Sequence, residues 1–283
     1  MLLKKTTVAI ACSLLLLFAV FVSLVIREET KDSDSTNLRS DDSSDLSSWF
    51  QTEGELIWDD EFNNKDLPYW SHAVQSDFSL GKENQDVLYY RDYSVLVERG
   101  TLIIAATYSN HLGVHSGSIN TQSKLLFQYG TLEARIKVSG GLVGVSPSFW
   151  IESDSNKINI LKTTPGNLEE TAEIVGIASA QWSSGESLER YALDYEANLD
   201  EEYHIYKLDW TPTSVATYKD GDLLWEMDIE QASCPHCDSF HQPHYIALSL
   251  AVIFSEEHET TSSTMTVDYV RLIDNGFAMV ELI

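Results

Sequence analysis

In residues 132–138 every second side chain is apolar, in the run Leu132-Glu133-Ala134-Arg135-Ile136-Lys137-Val138. A period of two puts Leu132, Ala134, Ile136 and Val138 on one face of an extended strand and the charged residues on the other. Such a strand needs a core on one side and a polar setting on the other. The signal recurs along the chain. Gly100 turns it ahead of residues 101–106, and residues 265–272 read as a further strand. Asp220-Gly221 separates Val215-Ala216-Thr217-Tyr218 from Leu223-Leu224-Trp225, a two-residue hairpin pattern. No long helical pattern and no internal repeat interrupts these strands, and many short strands divided by turn signals imply two stacked antiparallel sheets.

Composition sets the scale of that sandwich. With 283 residues, 43% of them hydrophobic, the chain can bury one sizeable core, as a single large β domain requires. Its formal net charge of −26 repels phosphate backbones and anionic membrane surfaces, which argues against nucleic acid as a partner. A neutral polysaccharide is compatible with it.

The amino-terminal part is of another kind. Residues 6–26 are apolar and small, long enough to cross a bilayer as a helix, and no small-x-small cleavage site closes the run. Lys4 and Lys5 precede it, while Arg27 and Lys31 beyond it are diluted by Glu28, Glu29, Asp32 and Asp34, a bias that keeps the amino terminus cytoplasmic. The expected organisation is therefore a cytoplasmic stub (1–5), a transmembrane signal anchor (6–26), a disordered Ser/Asp-rich stalk (27–52) and a β domain (53–283). In a single-pass type II membrane protein that domain faces the lumen or exterior. The alternative is secretion after signal cleavage. The stalk has too few apolar side chains to offset the entropy of ordering it.

One acidic segment invites a chemical reading. If Gly166-Asn167-Leu168-Glu169-Glu170-Thr171-Ala172-Glu173 runs extended, then Glu169, Thr171 and Glu173 share a face. Four residues of strand span roughly 13 Å. Two glutamates leaning together can approach the separation of about 5 to 5.5 Å that a retaining glycosidase needs. A solvated edge-strand pair in an acidic protein gives the same pattern.

Five segments resemble glycoside hydrolase family 16, the laminarinase and β-glucanase group that also contains β-glucan-recognition proteins. They are Leu56-Ile57-Trp58-Asp59-Asp60-Glu61-Phe62, Tyr129-Gly130-Thr131-Leu132-Glu133-Ala134-Arg135-Ile136-Lys137, Pro147-Ser148-Phe149-Trp150, Tyr203-His204-Ile205-Tyr206-Lys207-Leu208-Asp209-Trp210 and Val267-Asp268-Tyr269-Val270-Arg271. They follow the family's order over residues 53 to 275. The resemblance implies a mostly β, concanavalin-like jelly-roll sandwich of two antiparallel sheets with a sugar cleft on one concave face. Family members carry their carboxylates as Glu-x-Asp-x-Glu or, with a bulge, Glu-x-Asp-x-x-Glu. Anchored on Glu173, the first form puts Glu169 at the nucleophile, Thr171 at the central Asp and Glu173 at the acid/base. The bulged form puts Leu168 at the nucleophile, which leaves no group to attack an anomeric carbon.

Thr171 in place of an acid weakens the means of holding two glutamate pKa values apart. Other positions depart from the family as well: Ser146 stands where a Trp precedes Pro-x-Phe-Trp, Asn84-Gln85-Asp86 keeps only the Asn of Asn-x-Glu-x-Gln, and Ser118, Gln181 and Ser249 stand for the family's Arg, His and Asn. Trp150, Trp182 and Asn84 remain as substrate contacts, though sheet packing accounts equally for both tryptophans and a turn for Asn84. Cys234-Pro235-His236-Cys237 lacks the βαβ setting of a redox motif, so a local disulfide is expected, and His241 and His244 follow too closely for a usual zinc finger. Asp268 matches a family position that helps hold a structural calcium. No cofactor is expected for catalysis. The reading is a membrane-anchored ectodomain that binds a β-linked glucan with weak or lost hydrolase activity. Its rivals are an active retaining β-glucanase or transglycosylase using Glu169 and Glu173, and an assembly protein without sugar binding.

Overall fold

The computed structural model describes residues 54–73, 86–87, 92–109, 113–140, 145–164, 175–184, 187–196, 202–234, 237–253 and 260–283. The expected anchor and stalk, Asn84, Glu169, Thr171 and Glu173 lie outside these residues. Among the described residues no helix is long and apolar enough to cross a membrane.

Thr52–Ile283 forms one compact unit built from two antiparallel sheets. The nine-stranded sheet contains β1 (Leu56–Asp60), β4 (Val95–Glu98), β5 (Thr101–Ser109), β6 (Gly113–His115), β9 (Gly130–Gly140), β14 (His204–Trp210), β15 (Ser214–Lys219), β16 (Asp222–Asp228) and β18 (Thr260–Ile273). Its order is β16-β15-β14-β9-β18-β5-β4, with β1 against β18 and β6 against β5. The eight-stranded sheet contains β2 (Ser71–His72), β3 (Asp86–Val87), β7 (Gly117–Asn120), β10 (Val145–Glu152), β11 (Asn156–Thr164), β12 (Val175–Ser184), β13 (Ser187–Glu196) and β17 (Tyr245–Ile253). Its order is β13-β12-β11-β10-β17-β7-β2, with β3 against β17. A two-stranded ribbon of β8 (Leu125–Gln128) and β19 (Met279–Leu282) completes the described strands.

The period-two pattern is what closes the core. On β9, Leu132, Ala134, Ile136 and Val138 are all buried, as the alternation requires. They join a single apolar cluster with Leu102 and Ile104 of β5, Phe149 and Ile151 of β10, Ile158 and Leu161 of β11, and Ile246, Leu248 and Leu250 of β17. Fully burying side chains of this size stabilises the fold by about 1.5 to 3 kcal/mol each.

Two bulges re-aim side chains. On β18 the inward residues change phase, from Met265 and Val267 to Val270 and Leu272, because the register against β9 shifts between Val267 and Tyr269. Asp268, the extra residue, meets Arg135 at 2.7 Å. On β11 the register against β10 skips Ile160, since Phe149 faces Leu161 and Trp150 faces Asn159. The Asp220-Gly221 turn takes φ of 51° and 87°, the double positive φ of a primed hairpin turn, and joins β15 to β16 as its sequence predicts. Gly117 has a different reason to be glycine. A Cβ there would lie 2.7 Å from Val95, 2.8 Å from Ile104 and 2.9 Å from the Ser94 carbonyl.

The start of the domain is fixed to its end by Leu56–Asp60. Asp60 accepts hydrogen bonds from Trp70 Nε1 (2.9 Å) and the Phe62 backbone N–H (2.8 Å), and Arg271 Nε donates to Glu61 at 2.8 Å. Burial raises the Asp60 pKa, against the lowering effect of these two hydrogen bonds.

Candidate functional site

The eight-stranded sheet has one face in the core, and its pairing defines what shares the other. Phe149 and Ile151 point inward with their partners Leu161 and Ile158, so Ser148, Trp150 and Glu152 point outward with Lys162, Asn159 and Lys157. Across β17, Ser148 faces Ser249, Trp150 faces Ala247 and Glu152 faces Tyr245. Across β12, Asn159 faces Ser179 and Lys157 faces Gln181. The centre of this outer face is therefore a floor of small residues with one indole, one carboxylate and two lysines.

These groups form one network. Trp150 Nε1 donates to Glu152 Oε2 at 2.7 Å, the same oxygen lies 3.6 Å from Lys157 Nζ, and that ammonium stands 4.2 Å from the centre of the Trp150 ring. The Tyr245 hydroxyl also bonds Glu152, and burial together with that carboxylate raises its pKa. Burial lowers the Lys157 pKa, with Lys162 acting in the same direction and Glu152 opposing both. Asn159 Nδ2 donates to Ser179 Oγ at 2.8 Å, while its Oδ1 is buried with no partner among the described residues.

Of the other sequence-predicted residues, those that are described fall elsewhere. Trp182 pairs with Asn156 on the inward face, is 8% exposed and packs on Phe240 with ring centres 5.3 Å apart, so its indole belongs to the core. Asp268 is held by Arg135. Its carboxylate is thereby engaged by a cation, and among the described residues no group of three His, Cys, Asp or Glu could hold a metal ion. Cys234 and Cys237 form a disulfide with Cα atoms 5.4 Å apart. His241 bonds the Tyr129 hydroxyl and the Ile229 carbonyl, and His244 bonds the Gln242 carbonyl. Glu169, Thr171 and Glu173 come between β11 and β12 in the sequence and lie outside the described residues.

Sequence reasoning missed Lys157, Asn159 and Lys162. The signal for them was present, because the segment directly after Pro147-Ser148-Phe149-Trp150 can return as its hairpin partner, and it carries polar residues at a bulged spacing.

Two antiparallel sheets with a polar outer face opposite a shared core define a jelly-roll-like β-sandwich. The sequence profile of glycosyl hydrolases family 16 matches residues 81–271, and the chain belongs to that family. It is 25% identical over 239 residues to the clotting factor G alpha subunit of Tachypleus tridentatus, covering 78% of this chain and 34% of that one. It is 26% identical over 258 residues to glucan endo-1,3-beta-glucosidase A1 of Niallia circulans, covering 77% of this chain and 37% of that one. The chain thus spans about a third of the length of these two relatives. The same fold is seen in a family 16 endo-glucanase from Bacteroides ovatus, at a TM-score of 0.65 and 22% identity, over 77% of this chain and all of that one.

Proposed function

We propose that the domain recognises a β-linked glucan and does not hydrolyse it efficiently, as the ectodomain of a protein anchored through residues 6–26. The observation that carries this reading is the outer face of β11. The bulged family pattern Glu-x-Asp-x-x-Glu has its acids at i, i+2 and i+5, and β11 bears Lys157, Asn159 and Lys162 at that spacing. The strand follows the Pro147-Ser148-Phe149-Trp150 segment and carries its irregularity between Asn159 and Thr163. A retaining mechanism needs one carboxylate to attack the anomeric carbon and another to protonate the leaving oxygen. An ammonium has no lone pair with which to attack, and an amide does not take over the proton. The glucan is suggested by the relatives, one of them a glucan endo-1,3-beta-glucosidase. Trp150 and the small hydroxyl residues around it are compatible with an apolar ring face and polar surroundings for a sugar.

The test uses the full-length chain in mild detergent, with laminarin, lichenan and an insoluble β-glucan. Retention on the insoluble glucan without release of reducing ends supports the reading. Release by the parent chain that disappears in a Glu169→Gln, Glu173→Gln double variant overturns it and assigns the chemistry to those glutamates. Absence of both binding and release favours an assembly protein without sugar contact.

A further inference from the structure

Of the large apolar side chains that are exposed among the described residues, most sit on one strand and the residues beside it: Phe277, Met279, Val280, Leu282 and Ile283, at 37–68% exposure. All four residues of β19 are exposed, so both faces of this strand meet solvent. Its edge is open as well. Among the described residues β19 pairs with β8 alone, Met279 opposite Gln128 and Glu281 opposite Leu126. On β8 the Phe127 N–H and carbonyl are both bonded to His244 on the far side, at 2.9 and 2.8 Å, so Leu126 and Gln128 are the residues that bond β19. The Ile283 N–H, donating to the Lys124 carbonyl at 2.9 Å, keeps the same phase. The N–H and carbonyl groups of Val280 and Leu282 therefore point away from β8, along an edge with no Lys, Pro or bulge to protect it.

We infer that a second copy of this chain docks on that edge, β19 against β19, antiparallel about a two-fold axis. A strand edge paired with its own copy is self-complementary, as a two-fold interface requires. The area suffices. Five side chains at these exposures present roughly 500 Å² of mostly apolar surface, the size of a functional patch, and burying it on both copies removes about 1,000 Å², the lower bound for a specific interface. Charge selects the same place, because two copies with a net charge of −26 each repel over most of their surface, while residues 276–283 carry one charged side chain, Glu281. An axis through Glu281 would set two carboxylates directly opposite each other, which destabilises a strand pair. The axis therefore passes at Val280 or at Leu282, where the outward groups exchange both hydrogen bonds with their own copy and bring the two Cα atoms to about 5.5 Å.

The experiment is size-exclusion chromatography of the full-length chain in mild detergent, with light scattering and refractive index to separate protein mass from bound detergent. At micromolar concentration the parent chain runs as a dimer and the Val280→Lys, Leu282→Lys double variant as a monomer, its dissociation constant raised at least about tenfold. Both side chains are exposed, so the variant keeps the fold, which an unchanged melting temperature verifies. In a Cys12→Ser background, Val280→Cys or Leu282→Cys gives a disulfide-linked dimer on mild oxidation, since about 5.5 Å between Cα atoms is within disulfide reach. Asp222→Cys, exposed at the start of β16, does not. A monomeric parent chain, a dimer that the double variant leaves intact, no cross-link at either edge position, or equal cross-linking at Asp222→Cys overturns the proposal. A monomeric parent that binds more detergent than the double variant assigns the patch to a lipid surface and overturns it too.

Discussion

Acid should loosen this domain through one histidine. His244 is fully buried, its ring centre is 4.9 Å from that of Trp210, and Trp210 in turn packs edge-on against Phe127. With Nδ1–H donating to the Gln242 carbonyl at 2.7 Å, Nε2 is left buried with no partner among the described residues. Protonation would place a charge and a second N–H among aromatic rings with no acceptor for it. Burial accordingly pushes the pKa from 6.5 down to about 4, against weaker opposing effects from the Gln242 carbonyl and Glu152. The sign follows from linkage. Between pH 6.5 and 4 the unfolded chain binds a proton that the native chain refuses, so this contribution is complete above pH 6.5 and falls as pH drops.

At 1.36 kcal/mol per pKa unit, a depression of about 2.5 units is worth about 3 kcal/mol. For a domain of this size each kcal/mol moves Tm by about 2–4 °C, which gives a fall of about 6–12 °C from this residue alone. The assay is calorimetric melting at pH 7.5, 6.0, 5.0 and 4.0 for the parent chain and for His244→Phe, which keeps an aromatic ring against Trp210 and cannot titrate. The variant should lose about 1 kcal/mol at pH 7.5, the worth of one hydrogen bond, and then fall less steeply, so that the two curves converge or cross on the acid side. Parallel curves from pH 7.5 to 4.0 would refute the reasoning, because the acid limb would then belong to other groups.

Asp60→Ala should lower stability by about 2–4 kcal/mol in urea melts, since it leaves Trp70 Nε1 and the Phe62 N–H without their acceptor in a buried corner. Gly117→Ala should cost about 1–3 kcal/mol by the same measurement, because the new Cβ meets the Ser94 carbonyl as well as two side chains. Reducing Cys234–Cys237 should cost about 2 kcal/mol, the loop-closure entropy of so short a ring, read as a lower urea midpoint in dithiothreitol. Lys157→Met should change the Trp150 fluorescence, since it removes the ammonium over the indole, and should destabilise the domain by leaving Glu152 with hydrogen-bond donors but no cation.

The two-sheet architecture was legible because period-two runs such as residues 132–138 have only one way to bury half of their side chains. The Asp220-Gly221 hairpin was legible for a local reason, a turn that selects its residues by φ. The bulges were harder to read. On β18 the apolar phase changes at Asp268, and without strand pairing a change of phase looks the same as a strand end. The candidate site suffered more from the same cause. A search for acids on a strand favours the Glu-rich residues 169–173, whereas β11 carries lysines and amides, and only the register opposite Trp150 and Glu152 shows that Asn159 and Lys157 share their face. Trp182 illustrates a separate limit, since a tryptophan beside polar residues reads the same whether it packs on Phe240 or on a ligand.

The position of Thr260–Ile273 has a bearing on how the chain acquires its shape during synthesis. This longest strand bridges β9 and β5 and also receives β1, yet it is translated after all three. Until a ribosome has released it, β5 and β9 each present an open edge to any other nascent polypeptide. The largest sheet cannot close in the order in which it is made. Contacts that span most of the sequence slow folding, so the period of greatest exposure to misassembly falls late, in the interval between emergence of β9 and arrival of its final neighbour.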